Sequence, residues 1–243
     1  TIFCFMVARP NPVEAGLVQL HLRTPMLSAC DSFAVYSNVT LEALVGRELA
    51  QGVPGGAAVH GSMDTTFEGW PPEHPKVYSA SNTRLFLEAW REIFAAGTFR
   101  HFDWTVKVDP DTVFFPDRLR LLLEAHREPG EAALFDSGDF KCSSMGGIAV
   151  LSRATVEHMA RFPLFFLGVS REDAMLVSFM LNIRGRQIAE PNFVATPVRD
   201  VDCMKDGWKA AYHPLKHPVL ASYCLNMSKP PMPALANLHT VCS

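Results

Sequence analysis

Ile2 to Ala8 form an unbroken apolar run, the pattern of a buried strand, and Val13 to Arg23 then change to helical spacing before a second apolar stretch from Phe33 to Tyr36. The order reads as β-α-β. It predicts a largely parallel sheet with ligands beyond the carboxyl ends of its strands. Further along, Leu85, Leu87, Trp90, Ile93 and Phe94 fall mostly on one face of a helix over Thr83 to Ala96, with Ser81 or Asn82 able to cap its start. Phe102 to Val108 and Ile148 to Leu151 read as strands. Helices are predicted from Ser152 or Arg153 and from Arg171 to about Ile183, ending before Gly185. Gly52 to Gly56 and Trp70 to Pro75 are turn-rich and read as excursions over the surface. From Pro191 onward, prolines at 197, 214, 218, 230, 231 and 233 predict a loop-built tail with little regular structure. The pattern is that of one α/β domain over residues 1–243.

Composition narrows the function more than the fold. The formal charge of -3, with no block of Lys and Arg, removes any general attraction to nucleic acid, so none is expected as a partner. No apolar run reaches the roughly 18 residues of a membrane span, and the chain opens without an initiator Met, so a signal or anchor removed from the N-terminus is the expected membrane connection. Six cysteines without a close-spaced CxxC pair make disulfides plausible and zinc implausible. With two N-x-S/T triplets, at Asn38 and Asn226, they fit a secretory compartment. The other reading is a cytosolic protein with buried thiols.

The segment richest in chemistry is Asp109-Pro110-Asp111, at the carboxyl end of the strand ending at Val108 and before the apolar run Thr112 to Pro116. Residues two apart in extended chain face the same side, so both carboxylates can meet one cation, while Pro110 stiffens the turn. Oxygen ligands of this kind suit Mg²⁺ or Mn²⁺. An isolated D-x-D is also common as a solvated turn. The apolar setting is what separates the two, because unpaired carboxylates near a core are costly.

Tyr78, Asn82-Thr83-Arg84 and Trp90, followed by Trp104-Thr105-Val106-Lys107-Val108-Asp109-Pro110-Asp111-Thr112, resemble the β-1,3-glycosyltransferase and Fringe-like group of GT-A glycosyltransferases. Three more segments match that group in chain order: Met145-Gly146-Gly147-Ile148, Ser170-Arg171-Glu172-Asp173, and Ala211-Tyr212-His213-Pro214-Leu215-Lys216. The resemblance spans roughly residues 76 to 218. It departs at Pro110, where many relatives have Asp, and at Asp139 to Ser144, which matches nothing closely. What it implies is a Rossmann-like GT-A fold and transfer of a sugar from a nucleotide-diphosphate sugar, a UDP-sugar above all, to a hydroxyl of a glycan or glycoprotein, with inversion, in the Golgi lumen or after secretion.

The resemblance also implies roles. Asp109, Asp111 and His213 would hold Mn²⁺ or Mg²⁺, with His217 a rival to His213. Asp173 would be the general base and Glu172 its reserve, although acids opening a helix also favour its dipole without any catalytic part. Arg9, Arg84 and Lys216 join Asp109 and Asp111 as expected donor-binding residues, and each cation is equally readable as a surface charge. Gly146 and Gly147 would face donor and acceptor, where backbone without a side chain can come close to a ligand. Trp208 would stack on a sugar or else belong to the core. Two other functions fit parts of the pattern. Val106 to Val113 also resembles the opening motif of haloacid-dehalogenase-type phosphatases, with Asp109 as nucleophile, and a sugar-binding domain without activity would keep the same fold.

Overall fold

A computed structural model of the chain describes residues 1–59, 67–69, 78–80, 83–126, 130–136, 147–162, 172–190, 192–195, 208–227 and 240–241. In chain order they form β1 Ile2–Val7, α1 Pro12–Arg23, β2 Ser32–Tyr36, α2 Leu41–Val45, α3 Arg47–Gln51, β3 Phe67–Gly69, β4 Tyr78–Ala80, α4 Thr83–Ala96, a 3₁₀ turn Thr98–His101, β5 Trp104–Val108, β6 Val113–Phe114 and α5 Pro116–Glu124. They continue with β7 Ala133–Asp136, β8 Ile148–Ser152, α6 Arg153–Arg161, α7 Glu172–Ile183, β9 Arg186–Ala189, β10 Val194–Ala195, β11 Ala211–Tyr212, α8 Pro218–Met227 and β12 Thr240–Val241. No helix among the described residues is long and apolar enough to cross a membrane.

Seven strands make the central sheet in the order β12-β9-β7-β8-β5-β1-β2. β1 pairs in parallel with β2 and β5, and β7 with β9, while β8 runs antiparallel to both β5 and β7, and β12 antiparallel to β9. Five strands therefore share one direction, and the fold is the mixed, mostly parallel α/β architecture that the β-α-β opening predicts. Period two splits the strands between two cores. Ile2, Cys4 and Met6 of β1 and Trp104, Val106 and Val108 of β5 pack beneath α1, α2 and α5. Phe3, Phe5 and Val7 face the other way, under α4, α6 and α7. Burial on both faces explains why β1 shows no alternation in sequence.

Local signals set where the helices start. Asn11 accepts a bond from the Glu14 N–H at 2.9 Å and Pro12 occupies the first turn of α1; Ser152 caps α6 by accepting from the Thr155 N–H. The proposed caps of α4, Ser81 and Asn82, lie outside the described residues. Beneath α1, Cys4 and Cys30 form a disulfide that ties β1 to the approach to β2. Cys224 is a buried thiol, and Cys142, Cys203 and Cys242 lie outside the described residues.

The tail carries more regular structure than its prolines predict. Pro218 does not break α8 but starts it, since the first helical position needs no N–H. The short β11 joins β10 and β6 in a separate three-stranded sheet, which brings the end of the chain back to the centre.

Candidate metal centre

Asp109 and Asp111 leave the carboxyl end of β5, between the central sheet and β6. Because β8 runs antiparallel to β5 with Val108 opposite Ile148, the start of β8 lies at this same edge. The Gly147 carbonyl there accepts the Asp109 N–H at 2.8 Å and the Thr112 hydroxyl at 2.9 Å, so one peptide group pins both ends of the turn. The third part arrives through the small sheet. β6 pairs antiparallel with β11, Val113 opposite Tyr212, and the Leu215 N–H donates to the Asp111 carbonyl at 2.7 Å. That register sets His213 beside the D-x-D turn, about a hundred residues away in sequence.

Ligand atoms of Asp109, Asp111 and His213 all lie within 4.8 Å of one another. That is close to the span across a cation with bonds of about 2.1 Å. His213 lies against Gly147: a Cβ built on that glycine would stand 2.3 Å from the imidazole Cγ and Nδ1. Glycine is therefore required here for the approach of a protein side chain, where a ligand was the sequence-based reason. Burial pulls His213 down to about 4, so near neutral pH the ring is uncharged and keeps a lone pair for coordination. Its Nδ1 is buried with no hydrogen-bond partner among the described residues. Two carboxylates and a neutral imidazole are a donor set that fits a divalent cation.

Electrostatics around the turn centre on Lys107, which the sequence reading passed over. It points from β5 to the α4 and α7 side and is 1% exposed. Its Nζ lies 2.7 Å from Asp109 Oδ1, 3.3 Å from Glu172 Oε2 and 4.6 Å from the centroid of the Phe86 ring. Burial alone would lower the ammonium, but Asp109 and Glu172 outweigh it and raise it. Burial pushes Asp109 up to about 6 and Glu172 up to about 7, in each case against the pull of Lys107. Asp111 is raised as well, again by burial, with Lys216 opposing. The signal for Lys107 was present in the sequence: Thr105, Lys107 and Asp109 alternate with Trp104, Val106 and Val108, so the strand has one polar side that must find partners.

The other sequence-based candidates lie partly around this group and partly away from it. Glu172 and Asp173 open α7, both buried, and Asp173 is near enough to act on the Lys107 ammonium. Arg9 follows β1 at the same sheet edge, where its guanidinium and N–H are both engaged by Glu14, whose charge in turn bears on Asp111. Lys216 is exposed and acts on Asp111 and His213. His217 is not part of the cluster; its Nδ1 accepts the Val219 N–H at 3.3 Å at the start of α8. Trp208 is 7% exposed within the larger core, with the Arg118 guanidinium 5.8 Å from its ring centroid. Gly146 and the Arg84 side chain lie outside the described residues.

Fold and site thus define an α/β domain in which three residues that could hold a divalent cation meet at the carboxyl end of a central strand. The chain matches no protein-family model and no curated protein. Among solved structures it is similar to a candidate nucleotide-diphospho-sugar transferase from Desulfovibrio desulfuricans G20, with 12% identity, a TM-score of 0.44, and coverage of 76% of this chain and 78% of that one. It is also similar to a cytidylyltransferase from Leptospira borgpetersenii serovar Hardjo-bovis, with 11% identity, a TM-score of 0.46, and coverage of 79% and 76%. At these values neither assigns the chain to a family.

Proposed function

We propose that the protein is a metal-dependent glycosyltransferase of the GT-A type, moving a sugar from a nucleotide-diphosphate sugar, a UDP-sugar in the first instance, to a hydroxyl of a glycan or glycoprotein. The observation that carries this reading is the convergence of Asp109, Asp111 and His213 at the sheet edge where α7 presents Glu172 and Asp173. Asp109, Asp111 and His213 would hold Mn²⁺ or Mg²⁺. Bound there, the cation would supply a Lewis acid to the diphosphate leaving group.

The chain's own groups do the rest. Lys216, exposed beside Asp111, would add a charge-assisted bond to phosphate, and Arg9 would join it on release from Glu14. Asp173 would accept the proton of the acceptor hydroxyl as its oxygen forms the new bond to the anomeric carbon and the bond to the nucleotide diphosphate breaks, which inverts the configuration. Glu172, ion-paired with the buried Lys107, would be the reserve base. The Cys4–Cys30 disulfide supports an oxidising compartment, for which we propose the Golgi lumen or the exterior.

A screen of nucleotide sugars with Mn²⁺, read by release of free nucleotide, tests the reading. Asp111→Asn is expected to abolish turnover, and Asp173→Asn to spare nucleotide binding while transfer falls about a thousandfold. Unchanged transfer in either variant defeats the assignment. Hydrolysis of a simple aryl phosphate would point instead to the phosphatase reading with Asp109 as nucleophile, and silence on every donor to a binding domain.

A further inference from the structure

Helix α1 touches both arms of the metal centre, although nothing in its sequence marks it as functional. Its last turn carries His21, which is 1% exposed with Nε2 3.1 Å from the carbonyl of Pro110, the middle residue of the D-x-D turn. A carbonyl oxygen only accepts, so Nε2 carries the proton and donates it. Burial pulls this imidazole down to about 4, against the opposing pull of the Pro110 and Thr112 backbone, so the ring is uncharged near neutral pH. One turn earlier, Leu17 packs with Tyr212 and Leu215 on either side of His213, and Gly16 closes against Pro218, where an added Cβ would meet Pro218 Cγ at 3.1 Å.

We propose that His21 is a positioning residue for the cation site: by donating to the Pro110 carbonyl it locks the turn so that Asp109 and Asp111 converge on His213, whose segment the same helix holds from its neighbouring face. The inference rests on the metal reading given above. Stability alone does not account for a histidine here. Its Nδ1 is buried without a hydrogen-bond partner among the described residues, a cost that an apolar side chain of similar size would not carry. Pro110 has no N–H of its own, so its carbonyl is the group of that residue through which the turn can be gripped by hydrogen bonding. Outer partners of this kind decide how well a site is organised before the ion arrives.

The test uses the full chain and Mn²⁺ alone, with affinity read from the loss of the free-ion EPR signal. His21→Leu removes the donor at similar volume and is expected to weaken Mn²⁺ binding about tenfold, whereas His21→Gln, which keeps an N–H, recovers most of it. His21→Asn, polar but shorter, serves in place of Leu if that variant does not fold, with the same loss expected. A positioning role is overturned if the folded Leu or Asn variant binds Mn²⁺ as the unaltered protein does, or if Gln gives no recovery relative to it. Failure of the unaltered protein to bind Mn²⁺ would instead overturn the metal reading, and this inference with it.

Discussion

Lys107 is the residue on which most of the site's electrostatics turn. A lysine with 1% exposure is compensated chiefly by Asp109 and Glu172, which reach it at 2.7 and 3.3 Å. Lys107→Met would take the ammonium away from the buried Glu172 and the half-buried Asp109, and breaking such a pair costs about 3–5 kcal/mol, which denaturant titration would detect. The same burial sets a pH dependence for the ion. Asp109 is raised to about 6, so below that pH a proton competes for the ligand oxygen, and Mn²⁺ affinity should fall about tenfold per unit as pH drops. Below about 4 the slope should steepen, because His213 then protonates too. The sign for the ion-free protein is opposite for the acids: a raised carboxyl stabilises the fold below its unfolded value and loses that contribution as pH rises through the folded one, here toward about 6 for Asp109 and about 7 for Glu172. Isothermal titration with Mn²⁺ between pH 5 and pH 8 checks the affinity, and a flat profile would remove Asp109 from the ligand set. Gly147→Ala is the steric counterpart. Its Cβ would overlap the His213 ring at 2.3 Å, so the ring must leave its place, with about 1–3 kcal/mol lost from the fold and Mn²⁺ affinity down about tenfold.

At the scale of elements, the fold depends on β1, which sits between β2 and β5 and is stapled by Cys4 to Cys30. Twenty-six residues separate the two cysteines, and removing the loop closure with Cys4→Ala/Cys30→Ala should cost about 3.5 kcal/mol by chain entropy, seen as a lower unfolding midpoint under non-reducing conditions. An unchanged midpoint would show that the two thiols are not joined in the protein. Much at this level was legible in the sequence. The unbroken run of β1, the helical face of α4 and the strand before Asp109 all follow from periodicity, because each element buries one or both faces. What periodicity does not carry is direction and partnership. That β8 runs antiparallel, and so places Gly147 on Asp109, is a property of pairing across the sheet. The ladder from β6 to β11 is two residues long on each strand, too short to leave a pattern. Proline counting misjudged α8, since Pro218 stands at the helix start, where proline is favoured. His21 escaped notice for a related reason: one buried histidine on a helix face looks like any other until the carbonyl it meets, 89 residues away, is known.

For the whole molecule the site acts as a junction. Asp109 and Asp111 extend the central sheet, while His213 comes from the segment that closes the small sheet and leads into α8. An ion bound by all three would link parts of the chain that the ion-free fold joins through the two-residue β6–β11 ladder, the backbone bonds beside it and the small apolar cluster of Val113, Tyr212 and Leu215. A ligand that binds only the folded state stabilises it by about 2.7 kcal/mol at a hundred times its dissociation constant. Unfolding entropy near 2.1 cal/mol/K per residue gives roughly 0.5 kcal/mol/K for a chain of 243 residues, so saturating Mn²⁺ should raise the midpoint by about 5 °C. Asp111→Asn should lose that increment while its ion-free midpoint stays level or rises slightly, because burial raises the Asp111 carboxyl and the neutral amide escapes the cost of a buried charge. Hydrogen exchange would locate the effect: added Mn²⁺ should protect amides around Thr112 and Leu215 together, since one ion holds both segments, and leave the amides of β2 as they were. If the midpoint rises equally in Asp111→Asn, or if protection appears on one segment without the other, the ion is bound elsewhere and the three residues lie together without a shared ligand.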